Sequence, residues 1–288
     1  MKNFCKNLLS SIFLGIVILF LSTSCSKQEQ EPKKEIVQQF DTLLNDEHIR
    51  YLENTIDFME YFTYLKRIEV PYNDLVAKPE QYEKSTDRRN KVIRFGMLCS
   101  DIAYMKIVGG LTQTPEYDKL FERYIKDLNL STIMKNSFEE YKSIIQKKGL
   151  SEELFEDLRE QLRLDRVAFV NEAKKLDDVF LIYYTIGNVI EQFYLLQSLK
   201  NDSQSNEKIK KINEYIKANG APVPNLFNDI WNSQFKDASH QICHEYVLKL
   251  KPIYQIMLNK IKDQTDYTDE ELLSISKKTS ELRNEFLK

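Results

Sequence analysis

Glycine and proline are both scarce, with 7 of each in 288 residues, against average usage of roughly 7% and 5%. A β-rich fold of this length needs many turn residues, so the shortage argues against a sandwich or barrel and for long helices with short connections. A surplus of one charge is missing too. The 41 Lys and Arg against 44 Asp and Glu give a net charge of −3. The basic residues are scattered, which leaves no electrostatic footprint for nucleic acid. No glycine-rich phosphate loop and no Gly-x-Ser-x-Gly elbow occurs, and no run alternates convincingly as a strand that would carry either. What is present, 42% hydrophobic and 30% charged residues, describes a folded globular chain with enough length for a substantial core.

The N-terminus reads as a leader. Lys2 and Lys6 precede 14 mostly apolar residues, Leu8 to Leu21, broken only by Ser10, Ser11 and Gly15. That run is too short to cross a hydrocarbon core of roughly 30 Å comfortably and has the length of a signal-peptide h-region. Leu21-Ser22-Thr23-Ser24-Cys25 resembles a lipobox, in which small residues admit the chain to a signal peptidase and the thiol takes a diacylglycerol. The usual leucine position, three before the cysteine, is held here by Ser22. Ordinary cleavage after Ser24 and an uncleaved anchor stand as alternatives. The expected organisation is a signal peptide over 1–24, a lipidated Cys25 with a flexible tether over 25–35, and a helical domain over 36–288. Loss of Lys2 and Lys6 takes the charge from −3 to −5. Several acyl chains, palmitate among them, on one cysteine give stable membrane attachment. Ser26 is not an inner-membrane retention signal, so the expected location is the outer membrane of a bacterial envelope. Cys99 and Cys243 then face an oxidising compartment, either bonded or, as the preferred reading, as two buried thiols.

Helical signals fill the remainder. Asn45 caps a run of apolar residues from Ile49 to Leu65, spaced three or four apart and broken at Pro71. A second helix covers 86–108. Thr114-Pro115-Glu116 opens a third, and Ser151 caps another carrying Leu154, Leu158, Leu162 and Phe169. Residues 178–199 are strongly apolar. A charged amphipathic helix over 206–218 stops at Asn219-Gly220, and Pro222 and Pro224 mark a loop. Pro252 should kink or split a segment over 236–263, and Thr268 starts the last helix. The expected fold is all-α, a multi-helix bundle or short helical-repeat array.

Val92 to Val108 and Val179 to Leu196 are apolar on nearly every face, the mark of central helices. The first holds Gly96-x4-Asp101-x2-Tyr104 and the second Gly187-x3-Glu191-x2-Tyr194. Tyr124-Ile125-Lys126 and Tyr215-Ile216-Lys217 follow about 20 residues after each tyrosine, which suggests two repeats with a period of about 91 residues. With the lipobox, these motifs resemble uncharacterised helical lipoproteins of Bacteroidota, most clearly over 86–200. Asn188 stands where that pattern has an aromatic. The resemblance implies an envelope lipoprotein and brings no activity with it.

Two sets of residues are candidates for chemistry. A carboxylate in an apolar helix is costly unless paired, so Asp101 and Glu191 need donors. Tyr104 and Tyr194 lie on their faces, and Arg94, Arg159, Arg163 and Arg166 are cationic candidates. The favoured reading is a buried polar network that fixes helix register, and the sharper one is an acid pair lining a ligand or cation pocket. Gly96 and Gly187 fit both, since a missing side chain lets helices approach. His240 and His244 share a helix face beside Cys243 and are weak candidates for a metal site. Their order is not that of the zinc proteases, and only His48 is left elsewhere. Trp231 reads as a core contact. The functional expectation is a membrane-tethered, non-catalytic helical module without a cofactor, presenting a surface to a protein partner in the envelope. The alternative is a metal- or small-ligand-binding protein, or a hydrolase, using His240 and His244 or Asp101 and Glu191.

Overall fold

A computed structural model describes residues 38–288, apart from 41–42, 56–57, 84, 86, 112–113, 131–150, 176, 178, 197–204 and 220. The leader, Cys25 and the tether lie outside the described residues. The chain is all-α, as the residue spacing requires. Its helices are α1 (Asp46–Glu53), α2 (Phe58–Arg67), the single turn α3 (Pro79–Tyr82), α4 (Arg88–Ala103), α5 (Pro115–Asp127), α6 (Glu152–Ala173) and α7 (Phe180–Leu195). They continue with α8 (Ser205–Asn219), α9 (Pro222–Trp231), α10 (Ala238–Asp263) and α11 (Asp269–Leu287). A π-helical turn, Tyr104–Val108, extends α4. No helix among the described residues is long and apolar enough to cross a membrane.

Helices α4 and α7 form the centre, and α2, α6, α10 and α11 pack around them. Every residue from Val92 to Ala103 and from Phe180 to Glu191 is buried. A helix buried all round has no polar stripe, which is why both read as uniformly apolar. Their crossing is set by the two glycines. A Cβ on Gly187 would lie 1.9 Å from the Ile93 carbonyl oxygen, and one on Gly96 would lie 2.3 Å from that of Tyr184. The helices therefore meet backbone to backbone, and across the contact Ser100 donates to Asn188 Oδ1 at 3.0 Å. Asn188, the position that departs from the aromatic pattern, is thus a polar tie between the central helices.

Caps do much to fix the boundaries. Asn45 Oδ1 accepts from His48 N at 2.8 Å, Ser151 Oγ from Leu154 N at 3.2 Å, and Thr268 forms a capping box with Glu271. Such caps each contribute about 1 kcal/mol. The single helix expected after Asn45 is two helices. Asn54 Nδ2 donates to Arg50 O at 2.7 Å and Thr55 Oγ1 to Tyr51 O at 2.8 Å, so side chains take the last carbonyls of α1 at that break. Pro222 and Pro224 open α9 rather than form a loop, because the first turn of a helix needs no amide donor. Pro252 lies inside α10 without splitting it. Beside the helices, β1 (Gln38–Phe40) pairs in parallel with β2 (Ser233–Phe235), Gln38 opposite Ser233. Three residues are too few to show alternation, and a pairing across almost the whole domain leaves no local trace.

Candidate functional site

Asp101 and Glu191, one on each central helix, are both fully buried. Glu191 receives Arg283 of α11, whose Nε lies 2.9 and 2.8 Å from its two carboxylate oxygens. The same guanidinium donates to Leu75 O at 3.3 Å and stacks 3.8 Å over the ring of Tyr194. Asp101 Oδ2 accepts from Ala77 N at 2.9 Å and from Tyr82 Oη at 2.5 Å. Tyr82 is held in turn, since its carbonyl accepts from Tyr124 Oη at 2.7 Å. Tyr194 serves through its ring face. Tyr104, expected as a donor to Asp101, instead takes the amide of Asn73 at 3.0 Å.

Two carboxyl groups and one guanidinium share this buried centre, so charge balance favours one proton held between the carboxyl groups. Burial first, then the adjacent charge of Glu191 and the hydrogen bond to it, raise the Asp101 pKa well above the ordinary value, against the opposing pull of Arg283 and Tyr82. Asp101 Oδ1 accepts no hydrogen bond. That leaves Oδ1 as the oxygen of this carboxyl group free to carry a proton. Burial opposes the charge on Arg283, but Glu191 outweighs it and the pKa rises. The centre thus ties α3, α4, α7 and α11 together, and three of its four carboxyl oxygens already accept from protein donors.

Of the arginines named as partners from sequence, none serves this centre through a hydrogen bond. Arg94 donates to the carbonyls of Phe286, at 2.6 Å, and Gln81, at 2.8 Å. Arg159 and Arg166 turn to Glu60. Arg283 was missed because α11 is an ordinary amphipathic helix in sequence, with nothing to mark one of its basic residues as buried.

The histidines are engaged separately. His244 Nε2 lies 3.2 Å from Trp231 O, and the His240 and His244 rings flank Phe235 at 5.9 and 6.1 Å between centroids. They pack the corner between α9, β2 and α10. Among the described residues, no group of three or more His, Cys, Asp or Glu is placed to hold a metal ion. Cys99 and Cys243 are both buried, and no disulfide joins them. Trp231 is buried and donates to Val247 O at 3.0 Å.

A cleft of about 440 Å³ opens between α6, α2 and the junction of α8 with α9. Arg159, Arg163 and Arg166, spaced i, i+4 and i+7, line it from one face of α6. At its inner end Glu60 Oε1 accepts from Arg159 Nε at 2.8 Å and from Tyr215 Oη at 2.6 Å. Arg166 Nη1 lies 3.6 Å from Glu60 Oε2, beyond hydrogen-bond reach. At the outer end Arg163 pairs in bidentate fashion with Glu160, at 2.8 and 2.7 Å. The arginine spacing was legible in sequence. Its focus was not, because Glu60 stands in an apolar run. No family model, no curated protein and no solved structure matches the chain.

Proposed function

We propose that this chain is a lipid-anchored, non-catalytic helical module of the bacterial envelope, held in the outer membrane through Cys25 and offering its folded domain to an envelope protein. The observation that carries the non-catalytic part is the closure of the Asp101–Glu191–Arg283 network. A general acid or base must reach its substrate, whereas these carboxyl groups are fully buried and hydrogen-bonded to the protein. The anchor rests on the lipobox-like Leu21 to Cys25 and on the short leader before it. The resemblance of the Gly96 and Gly187 helices to Bacteroidota lipoproteins points the same way.

The test compares the intact chain with Cys25→Ser in palmitate-fed cells. The expected outcome is label and membrane fractionation for the parent, and loss of both for the variant. A variant that fractionates with membranes as before, beside a parent that never took up label, would refute the anchor. Capture of the intact chain from envelope extracts, with metal analysis of the product, checks the rest. A reproducible partner without bound metal is expected, and stoichiometric metal without a partner would overturn the binding-module reading.

A further inference from the structure

Between α2 and α4 the chain runs from Pro71 to Glu83 with no regular structure except the single turn α3. Of these residues only Ala77 and Tyr82 are buried. Backbone polar groups outside helices and sheets need other partners, and here side chains of the surrounding elements supply them. Asn73 N donates to Tyr104 Oη at 3.0 Å and Ala77 N to Asp101 Oδ2 at 2.9 Å. The carbonyls of Leu75, Ala77, Gln81 and Tyr82 accept from Arg283, Tyr117, Arg94 and Tyr124, at 3.3, 3.0, 2.8 and 2.7 Å. The segment is a strap pinned by polar contacts. With little apolar surface buried, such a segment opens at lower cost than the core beneath it.

Three of these contacts converge on the buried acid centre. Ala77 N and Tyr82 Oη both rest on Asp101, and Leu75 O rests on the guanidinium that also holds Glu191. Asp101 is faced by Tyr82 of α3, Glu191 of α7 and Arg283 of α11, and its charge also reaches Tyr72 and Tyr117. Burial raises the pKa of all three tyrosines, so they keep their protons near neutral pH, and Arg283 keeps its charge. The carboxyl pair is therefore the part of the centre that can trade a proton with solvent. Lifting the strap hydrates Asp101 and relieves the burial that chiefly holds its proton.

We infer that residues 71–83 form a proton-linked strap, which opens as a unit over the Asp101–Glu191 pair and gives up the proton held between them as it does so. The closed state binds one more proton than the open state, so the open population rises with pH by up to about tenfold per unit. The motion is local, and it is independent of the lipid anchor and the envelope partner proposed above.

The test is amide hydrogen exchange read by mass spectrometry on the full chain in detergent micelles, from about pH 5.5 to 7.5. Each rate is taken relative to that of the unfolded chain at the same pH. The protected amides of 71–83, Ala77 among them, should exchange faster than those at the centres of α4 and α7. Their protection should fall by up to about tenfold per pH unit. Asp101→Asn should abolish that fall. Tyr117→Phe, which loses a pin away from Asp101, should lower strap protection severalfold at every pH and keep the fall. Strap amides as protected as those of α4 and α7, a parent profile that does not change with pH, or an equal pH dependence in a folded Asp101→Asn variant would each overturn the inference. Should Asp101→Asn fail to fold, the parent profile and Tyr117→Phe still decide, because a folded Tyr117→Phe chain whose strap opens no more easily overturns it as well.

Discussion

Asp101→Asn exchanges a carboxyl for a carboxamide of the same shape, and the surrounding donors state what should happen. The Asn oxygen takes the place of Oδ2 and accepts from Ala77 N and Tyr82 Oη. The amide nitrogen replaces Oδ1 and donates to Glu191 without needing a bound proton. The variant should therefore fold, and near neutral pH it should be as stable as the parent or more so. Asp101 has a raised folded pKa, so its contribution to stability is fully present below the unfolded value of about 3.9 and is lost as pH rises through the folded one. Across that interval the parent should lose about 1.4 kcal/mol per pH unit from this group, and the variant should lack the slope. Urea titrations followed by circular dichroism, run from about pH 4.5 to pH 8, measure the difference directly. A parent-minus-variant difference that does not change with pH would refute the shared-proton account. So would a variant destabilised by several kcal/mol throughout. Glu191→Gln is the contrasting control, because it breaks the carboxylate's contacts with Arg283 Nε and leaves Asp101 as the carboxyl group facing that guanidinium, and breaking such a buried pair should cost about 3–5 kcal/mol.

Gly187→Ala puts a methyl group where the Ile93 carbonyl oxygen already lies 1.9 Å away. Backbone on both sides leaves little to yield, so a loss of about 3 kcal/mol or more, at the upper end of overpacking costs, is expected in the urea midpoint. His48 is buried at the start of α1 with Nδ1 3.0 Å from Leu43 O, and burial lowers its pKa below the usual 6.5, against the opposing effects of that hydrogen bond and Asp229. Its contribution to stability is present above about pH 6.5 and is lost as pH falls toward the folded value, opposite in sign to that of Asp101. An NMR titration of the His48 ring that gave a midpoint at or above 6.5 would contradict this.

The parts of the fold that follow from local chemistry were legible in the sequence. Asn45, Ser151 and Thr268 announce helix starts because a short polar side chain before an apolar period has one favoured use. Gly96 and Gly187 mark the crossing because glycine within an otherwise apolar helix has little justification except close approach. Asp101 and Glu191 were recognisable as buried and in need of partners. The partners themselves were not, since Arg283 lies 92 residues beyond Glu191 and Tyr82 sits on a single helical turn, Pro79–Tyr82. The break after Glu53 was hidden for a different reason. Ile49 to Leu65 keeps helical spacing across it, and α1 ends where the side chains and amides of Asn54 and Thr55 take its last carbonyls. The cleft combines both cases, with three arginines at readable intervals and a focal glutamate that nothing nearby identifies.

The position of Arg283 bears on how the chain acquires its structure. Until α11 arrives, Glu191 has no cation and Arg94 lacks the Phe286 carbonyl that holds it. The two halves of the centre are thus apolar helices with an unbalanced acid between them, and their pairing is least rewarded while synthesis is under way. Contacts spanning 192 and 208 residues, Arg94 to Phe286 and Arg283 to Leu75, are slow to form because long loops must close first. A centre whose cation comes from α11 is complete only once that helix has packed against α7.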